Sequence, residues 1–239
     1  LRFNDRKFAR EYDIRLAREN YPGELYRHVK DRLEGSTFVL DVGAGTGFLA
    51  VPLAREGKKI TAIEPSAEMI EILKEKITPD ISGSISIDRT DWESWSGPFS
   101  EALICVHSLY PMKDADMALS LMKKRSGLSL VAVRTHEGRK TLSDVIRKKI
   151  MPGHTAPDYP EIIRRRLEQI GAPYTETLIT ETKRIPIEDL DAEADFHSLQ
   201  LFKDRGHASQ IKLIITDSSE KTGPGLIFTA SHRDILFEF

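Results

Sequence analysis

A single cysteine, Cys105, leaves no partner for an intrachain disulfide, so the fold has to rest on a hydrophobic core. No run of 18 apolar residues occurs, and no membrane-spanning helix is expected. Charge of one sign is lacking as well. The 35 Lys and Arg against 37 Asp and Glu give a formal net charge of -2, and the two signs are mixed along the chain. Nucleic acid is therefore not the expected partner, because its binding usually needs a net basic face. There is no internal repeat, no low-complexity tract and no G-x-x-x-x-G-K-[ST] phosphate loop. The opening LRFNDRKFAREYD holds no apolar segment of the signal-peptide kind, and a cytoplasmic location is the expectation.

What is present is an ordinary globular composition. The chain has 239 residues, 40% hydrophobic and 30% charged. That length suits one large α/β domain or a core with a small cap. Residues 5–19 and 22–35 read as two helices. TFVLDV (37–42), KKITAIEP (58–65), SISID (84–88), EALICV (101–106) and LSLVAVRT (128–135) are short apolar or β-branched bursts, which read as strands. Between them FLAVPLAREG, SAEMIEILKEK and residues 112–125 have helical spacing. Strand, helix, strand, helix, strand is the start of a parallel sheet with right-handed crossovers.

After residue 135 the pattern changes. Residues 136–170 contain APDYP and one predicted helix, PEIIRRRLEQIG, and read as a lid or insertion too long for a crossover loop. Residues 174–187 read as extended, and IEDLDAEADFHSLQLF and 208–219 as helices. In GLIFTASHRDILFEF (225–239) two apolar runs flank the polar SHRD, which predicts an antiparallel hairpin. The expected fold is α/β: a doubly wound, mostly parallel seven-stranded sheet with a C-terminal antiparallel hairpin and a helical lid insertion. Its parts would be a helical arm (1–35), an α/β core (36–135), a lid or substrate-binding insertion (136–205) and a segment completing the sheet (206–239).

In such sheets a ligand sits beyond the carboxyl ends of the strands, where strand order reverses. Asp41, Gly43, Gly45 and Gly47 lie at the end of the first strand. Glycines there let the backbone turn tightly and a ligand come close. A dinucleotide fingerprint would need a glycine at 48, and Phe48 stands there instead. Glu64 ends the second strand, where an acid can accept both hydroxyls of a ribose. Asp91 and Trp92 follow the third strand. An acid can accept from an adenine amino group, and an indole or the Met69 side chain can cover an adenine face.

VLDVGAGTGFLAVPLA, ITAIEPSAEMI and the acid–aromatic pair Asp91–Trp92 resemble the motifs of class I S-adenosylmethionine-dependent methyltransferases, over most of residues 37–135. The resemblance implies S-adenosylmethionine as cofactor. Asp41, Gly43, Gly45 and Gly47 would lie under its methionine half and Glu64 would hold the ribose. Pro65, Ser66, Met69, Asp91, Trp92 and Cys105 would complete the cofactor shell. EYD, residues 11–13, resembles the arm that closes over the cofactor in the small-molecule branch, which brings in Tyr12.

Methyl transfer asks the protein to align a nucleophile, exclude water and in some cases remove a proton. The candidates are His107 and Tyr110 in CVHSLYPMKD; an imidazole titrates near neutrality and suits a general base. His107 reads equally as a structural imidazole, and Cys105 as a packed small hydrophobe. His107, His136 and His154 are too irregularly spaced for a metal centre, and none is expected. The [Asn/Asp]-Pro-Pro-[Tyr/Phe] and Pro-Cys patterns of amino- and pyrimidine-directed enzymes are missing. The run Arg164–Arg165–Arg166 could line a groove for an anionic polymer. The expected partner is a small-molecule acceptor; a protein or RNA acceptor, or a cofactor-binding protein without transferase activity, are the alternatives.

Overall fold

The structure is a computed structural model that describes residues 2–154, 156–223 and 225–239. It divides into two compact units. The first holds residues 1–134, 158–179 and 234–239, and the second 135–157 and 180–233.

In the first unit, α1 (Arg6–Arg18) and α2 (Glu24–Arg32) precede the alternating run: β1 (Phe38–Val42), α3 (Ala50–Arg55), β2 (Lys59–Ile63), α4 (Ala67–Lys76), β3 (Ile85–Asp88), β4 (Ser100–Val106), α5 (Ala115–Arg125) and β5 (Ser126–Arg134). Each of the five strand bursts forms the expected strand. Ser66 caps α4, its hydroxyl accepting from the Met69 N–H. β1 pairs in parallel with both β2 and β4, and β3 and β5 extend the parallel sheet on either side. Chain order reverses between β1 and β4, the topological switch point.

Side chains alternate across the strands, and the two faces build two cores. Val39, Ile60, Ala62, Ala102, Ile104, Leu130 and Ala132 pack with Leu25, Val29 and Leu33 of α2 and with α3. Leu40, Val42, Ile63, Leu103, Cys105, Val131 and Val133 pack on the other face with Leu119 and Met122 of α5. To the second face α7 (Tyr159–Gln169) adds Ile163 and Leu167, both fully buried. Residues 136–170, read in the sequence as one insertion, are therefore divided between the units.

The last strands differ from the reading of the sequence. β8 (Gly225–Glu238) is a single strand that runs straight through SHRD. The C-terminal hairpin lies one step earlier: β7 (Glu220–Thr222) pairs antiparallel with β8, Thr222 opposite Gly225. Gly223, at φ 52, supplies the turn that SHRD does not. A polar stretch signals a turn only if nothing pairs with it. Here Arg134 takes Asp234 as its register partner, and Lys140 bridges Ser231. β6 (Thr175–Ile187) lies beside β8, so the sheet has eight strands rather than seven, in the order β3-β2-β1-β4-β5-β8-β6 with β7 off the path.

The second unit has its own core. Leu142 and Ile146 of α6 (Leu142–Ile150) pack with Ala194 of α8 (Leu190–Phe202), Ile211 and Ile215 of α9 (Ala208–Ser218), and Phe228. α6 is a helix that the sequence reading passes over. Its signal is TLSD: the Thr141 hydroxyl accepts from the Asp144 N–H, and the Asp144 carboxylate accepts from the Thr141 N–H at 3.0 Å. Thr141→Ala removes half of this box and is expected to destabilise the protein by about 1 kcal/mol in a urea titration.

Candidate functional site

The turn after β1 is shaped by what surrounds it. Gly43 has φ 73, and a Cβ there would stand 2.3 Å from the Ser108 Cβ, so the loop after β4 comes too close for any side chain. Gly45, at φ 55, is different. A Cβ on it would meet only the Gly43 carbonyl, at 4.0 Å, and otherwise open space. A ligand can therefore approach this backbone closely. Gly47 completes the loop at φ 83.

Glu64 closes the loop from the side. One carboxylate oxygen accepts from the Gly45 N–H at 2.9 Å, the other from the Ser66 N–H at 2.9 Å. Burial nonetheless raises its pKa above the ordinary carboxylate range, against the pull of these two bonds. Each oxygen keeps a further lone pair, which two vicinal hydroxyls can fill. Asp41 lies deeper. It is pushed up to about 7, first by burial and then by the Glu64 charge, while the Ala50 N–H at the start of α3 pulls the other way. Asp41 Oδ2 and the Thr46 hydroxyl oxygen are buried with no hydrogen-bond partner among the described residues. An open backbone cradle, a buried acid with spare lone pairs and orphaned polar atoms are what a nucleoside with an amino-acid tail requires; these residues fit S-adenosylmethionine.

The other sequence-derived cofactor residues fall in several places. Pro65 is exposed between Glu64 and Ser66. The Ser66 hydroxyl donates to the Phe3 carbonyl at 2.7 Å, which ties the N-terminus to this corner. Met69 is buried with Ala9 and Ile72, and Phe3 and Tyr12 pack on that group. Asp91 caps a short 3-10 turn, accepting from the Ser94 N–H at 2.9 Å. Trp92 is brought inward: its indole stacks on Trp95 and its N–H donates to the Ala118 carbonyl at 3.1 Å. That places it in the buried core. Cys105 is fully buried, and burial pushes its thiol up to about 12.

A second polar group gathers at the ends of β4 and β5. His107 has φ 56, a left-handed conformation costly for a side chain with a Cβ. Both ring nitrogens are engaged. Nδ1 stands 3.1 Å from the Tyr21 hydroxyl and Nε2 2.9 Å from Asp234 Oδ1. Tyr110 stacks parallel to the imidazole, and its hydroxyl accepts from the Arg134 N–H at 2.7 Å. Burial raises the Tyr21 phenol well above its usual range, and the charges or dipoles of Tyr12, Arg134, Asp234 and Tyr110 all reach it. Sequence reading found His107, Tyr110 and Tyr12 but missed Tyr21, Arg134 and Asp234. The last two were hidden in what read as the end of a strand and a turn. An ionisable residue ending an otherwise apolar central strand was the available signal.

The basic run is committed elsewhere. Arg164 pairs with Glu176 at 2.7 Å, Arg165 lies 3.6 Å from Asp116, and Arg166 donates to the Ser120 hydroxyl and the Asp116 carbonyl. No group of metal-ligating residues occurs among the described residues. Nor is any helix of the described residues long and apolar enough to cross a membrane.

Known proteins share this fold. Residues 39–125 match the family model described as a methyltransferase domain. The magnesium-protoporphyrin O-methyltransferase of Rhodobacter capsulatus is 28% identical over 120 residues, 49% of this chain and 53% of that protein. The chain spans about half the length of the curated relatives it matches. Among solved structures, the YcgJ protein of Bacillus subtilis superimposes with a TM-score of 0.59 at 14% identity, covering 89% of this chain and 96% of that one. Magnesium protoporphyrin IX methyltransferase from Synechocystis PCC 6803, solved with SAH bound, gives 0.55 at 18% identity, covering 95% and 84%. The fold is that of the class I S-adenosylmethionine-dependent methyltransferases, and residues 39–125 are the part that matches the methyltransferase-domain model.

Asp41 offers a test of these electrostatics. Its folded pKa is raised, so the folded state holds the proton longer than the unfolded chain does. Its contribution to stability is therefore present at low pH and is lost as pH rises from about 4 to about 7, at about 1.4 kcal/mol per pH unit across that window. Asp41→Asn removes this dependence. In urea titrations across that range without ligand, the stability of the variant relative to the parent is expected to rise with pH; a constant difference would contradict the raised pKa.

Proposed function

We propose that this protein transfers the methyl group of S-adenosylmethionine to a small-molecule acceptor. The observation that carries the reading is the Glu64 carboxylate, fixed between the Gly45 and Ser66 N–H groups beside an open glycine loop at the switch point. When bound, the cofactor supplies a methyl group on a sulfonium sulfur, already joined to a good leaving group. The chain's own part is to hold the ribose at Glu64 and to present an acceptor atom near the ends of β4 and β5.

Asp234 sets the state of His107. Its carboxylate accepts from Nε2–H, which leaves the neutral ring's lone pair on Nδ1, facing the Tyr21 hydroxyl. A proton leaving an acceptor could then reach the imidazole only through Tyr21 or by displacing it. We assign His107 the holding or moving of that proton, and Tyr21 and Tyr110 the framing of the acceptor. A compact acceptor is favoured over RNA or an acidic protein because Arg164, Arg165 and Arg166 are all bound to groups of the protein itself. The relatives that methylate magnesium protoporphyrin support a small-molecule acceptor in the same sense, without naming it for this chain.

The test is methyl-transfer screening with labelled S-adenosylmethionine against small metabolites, intact proteins and RNA. Turnover of a compact acceptor is expected, and efficient turnover of RNA or protein alone would overturn this reading. Glu64→Ala should weaken S-adenosylhomocysteine about ten-fold in a calorimetric titration. Unchanged affinity would remove Glu64 from the ribose. With a turned-over acceptor in hand, His107→Asn should lower kcat by roughly 10²-fold while cofactor affinity is kept. A change under two-fold would remove His107 from the chemistry.

A further inference from the structure

β5 is deeply buried along the second half of its length. Leu130, Val131, Ala132 and Val133 are all fully buried, and the next residue is Arg134. Arg134 is itself half-buried, so its guanidinium gives up part of its hydration there. It cannot shed its charge, because arginine stays protonated in proteins. Nor can it leave a buried N–H unbonded without giving up the hydrogen bond that water supplies in the unfolded chain. Yet Arg134 Nε is buried with no hydrogen-bond partner among the described residues.

The surroundings explain why the charge is kept and what is lacking. Burial works against it, and electrostatic interaction with Tyr110, Asp234, Tyr12 and Tyr21 outweighs that and keeps the guanidinium charged. Asp234, the register partner across the sheet, is the one carboxylate among these, and it is drawn to His107 Nε2 at 2.9 Å. No ion pair within 4 Å is formed by the Arg134 guanidinium among the described residues. The other neighbours are phenols, which carry no charge at neutral pH. The arginine thus has partial electrostatic support and no bound anion of its own, at the strand end where ligands of this fold class sit.

We propose that Arg134 is a carboxylate-binding residue, its planar N–H fork holding a monoanionic carboxylate of a bound small molecule among Tyr12, Tyr21 and Tyr110. A planar fork matches a carboxylate in two parallel hydrogen bonds. A single negative charge suits the site better than two, because Asp234 already contributes one to the same neighbourhood. The phenol rings are compatible with an organic acid and give little to a free phosphate. The carboxylate could come from the methyl acceptor or from the amino-acid end of the cofactor. The inference rests on the methyltransferase reading only in naming these two sources.

The experiment uses the full chain and four probes: S-adenosylhomocysteine, 5′-methylthioadenosine, acetate and acetamide. 5′-Methylthioadenosine keeps the nucleoside and thioether but has no carboxylate. If the cofactor supplies the anion, Arg134→Gln weakens S-adenosylhomocysteine at least ten-fold and leaves 5′-methylthioadenosine unchanged. If the acceptor supplies it, S-adenosylhomocysteine affinity is unchanged. The Arg134 Nε–H resonance, assigned by its loss in Arg134→Gln, then shifts saturably with acetate and not with acetamide in the cofactor-product complex. Arg134→Lys keeps the charge without the fork and should bind the affected probe more weakly than the parent, which serves as well if Arg134→Gln fails to fold. Unchanged S-adenosylhomocysteine affinity in both variants, with no acetate-specific shift in the parent, would overturn the proposal. Failure of the methyltransferase reading shows separately, as an absence of S-adenosylhomocysteine binding to the parent.

Discussion

Everything at the nucleotide end depends on one carboxylate. Glu64 joins three pieces of chain that are far apart in conformation: the end of β2, the glycine turn after β1 and the start of α4. Each bond runs from a backbone N–H that would otherwise be buried without an acceptor, and such a group is costly. The acid therefore stabilises the loop in the shape that exposes the backbone of Gly45. It does so at the cost of its own desolvation, which shows in its raised pKa. Ligand hydroxyls would add to an arrangement that already exists rather than build it, which is the meaning of preorganisation.

The polar group at the ends of β4 and β5 is assembled from a wider set of elements. Tyr12 comes from α1, Tyr21 from the segment before α2, His107 and Tyr110 from the loop after β4, Arg134 from the end of β5 and Asp234 from β8. None of these would hold its place alone. His107 sits in a left-handed backbone conformation, and Tyr21, Asp234 and the Ala132 carbonyl fix it there. A buried network of this kind is stabilising only when its members satisfy one another. The exception is Arg134, which remains short of a partner.

The sequence by itself determined the parallel core. Five apolar bursts, three of their four intervals with helical spacing, admit little besides an alternating sheet, because a strand buried on both faces has to be apolar throughout. DVGAGTG marked the turn after β1, since positive φ and close approach restrict those sites to glycine, and the acid 21 positions after Gly43 marked the end of β2. Local signals of this kind act through nearest neighbours and can be read from the chain. Tertiary structure decided the rest. SHRD looks like a turn until β5 and Lys140 are found pairing along it. Arg164, Arg165 and Arg166 look like a free basic patch until Glu176, Asp116 and Ser120 meet them. Asp234 reaches His107 across 127 positions of chain. Such pairings depend on which strands become neighbours, and that is settled by the packing of the whole sheet, not by any residue's immediate surroundings.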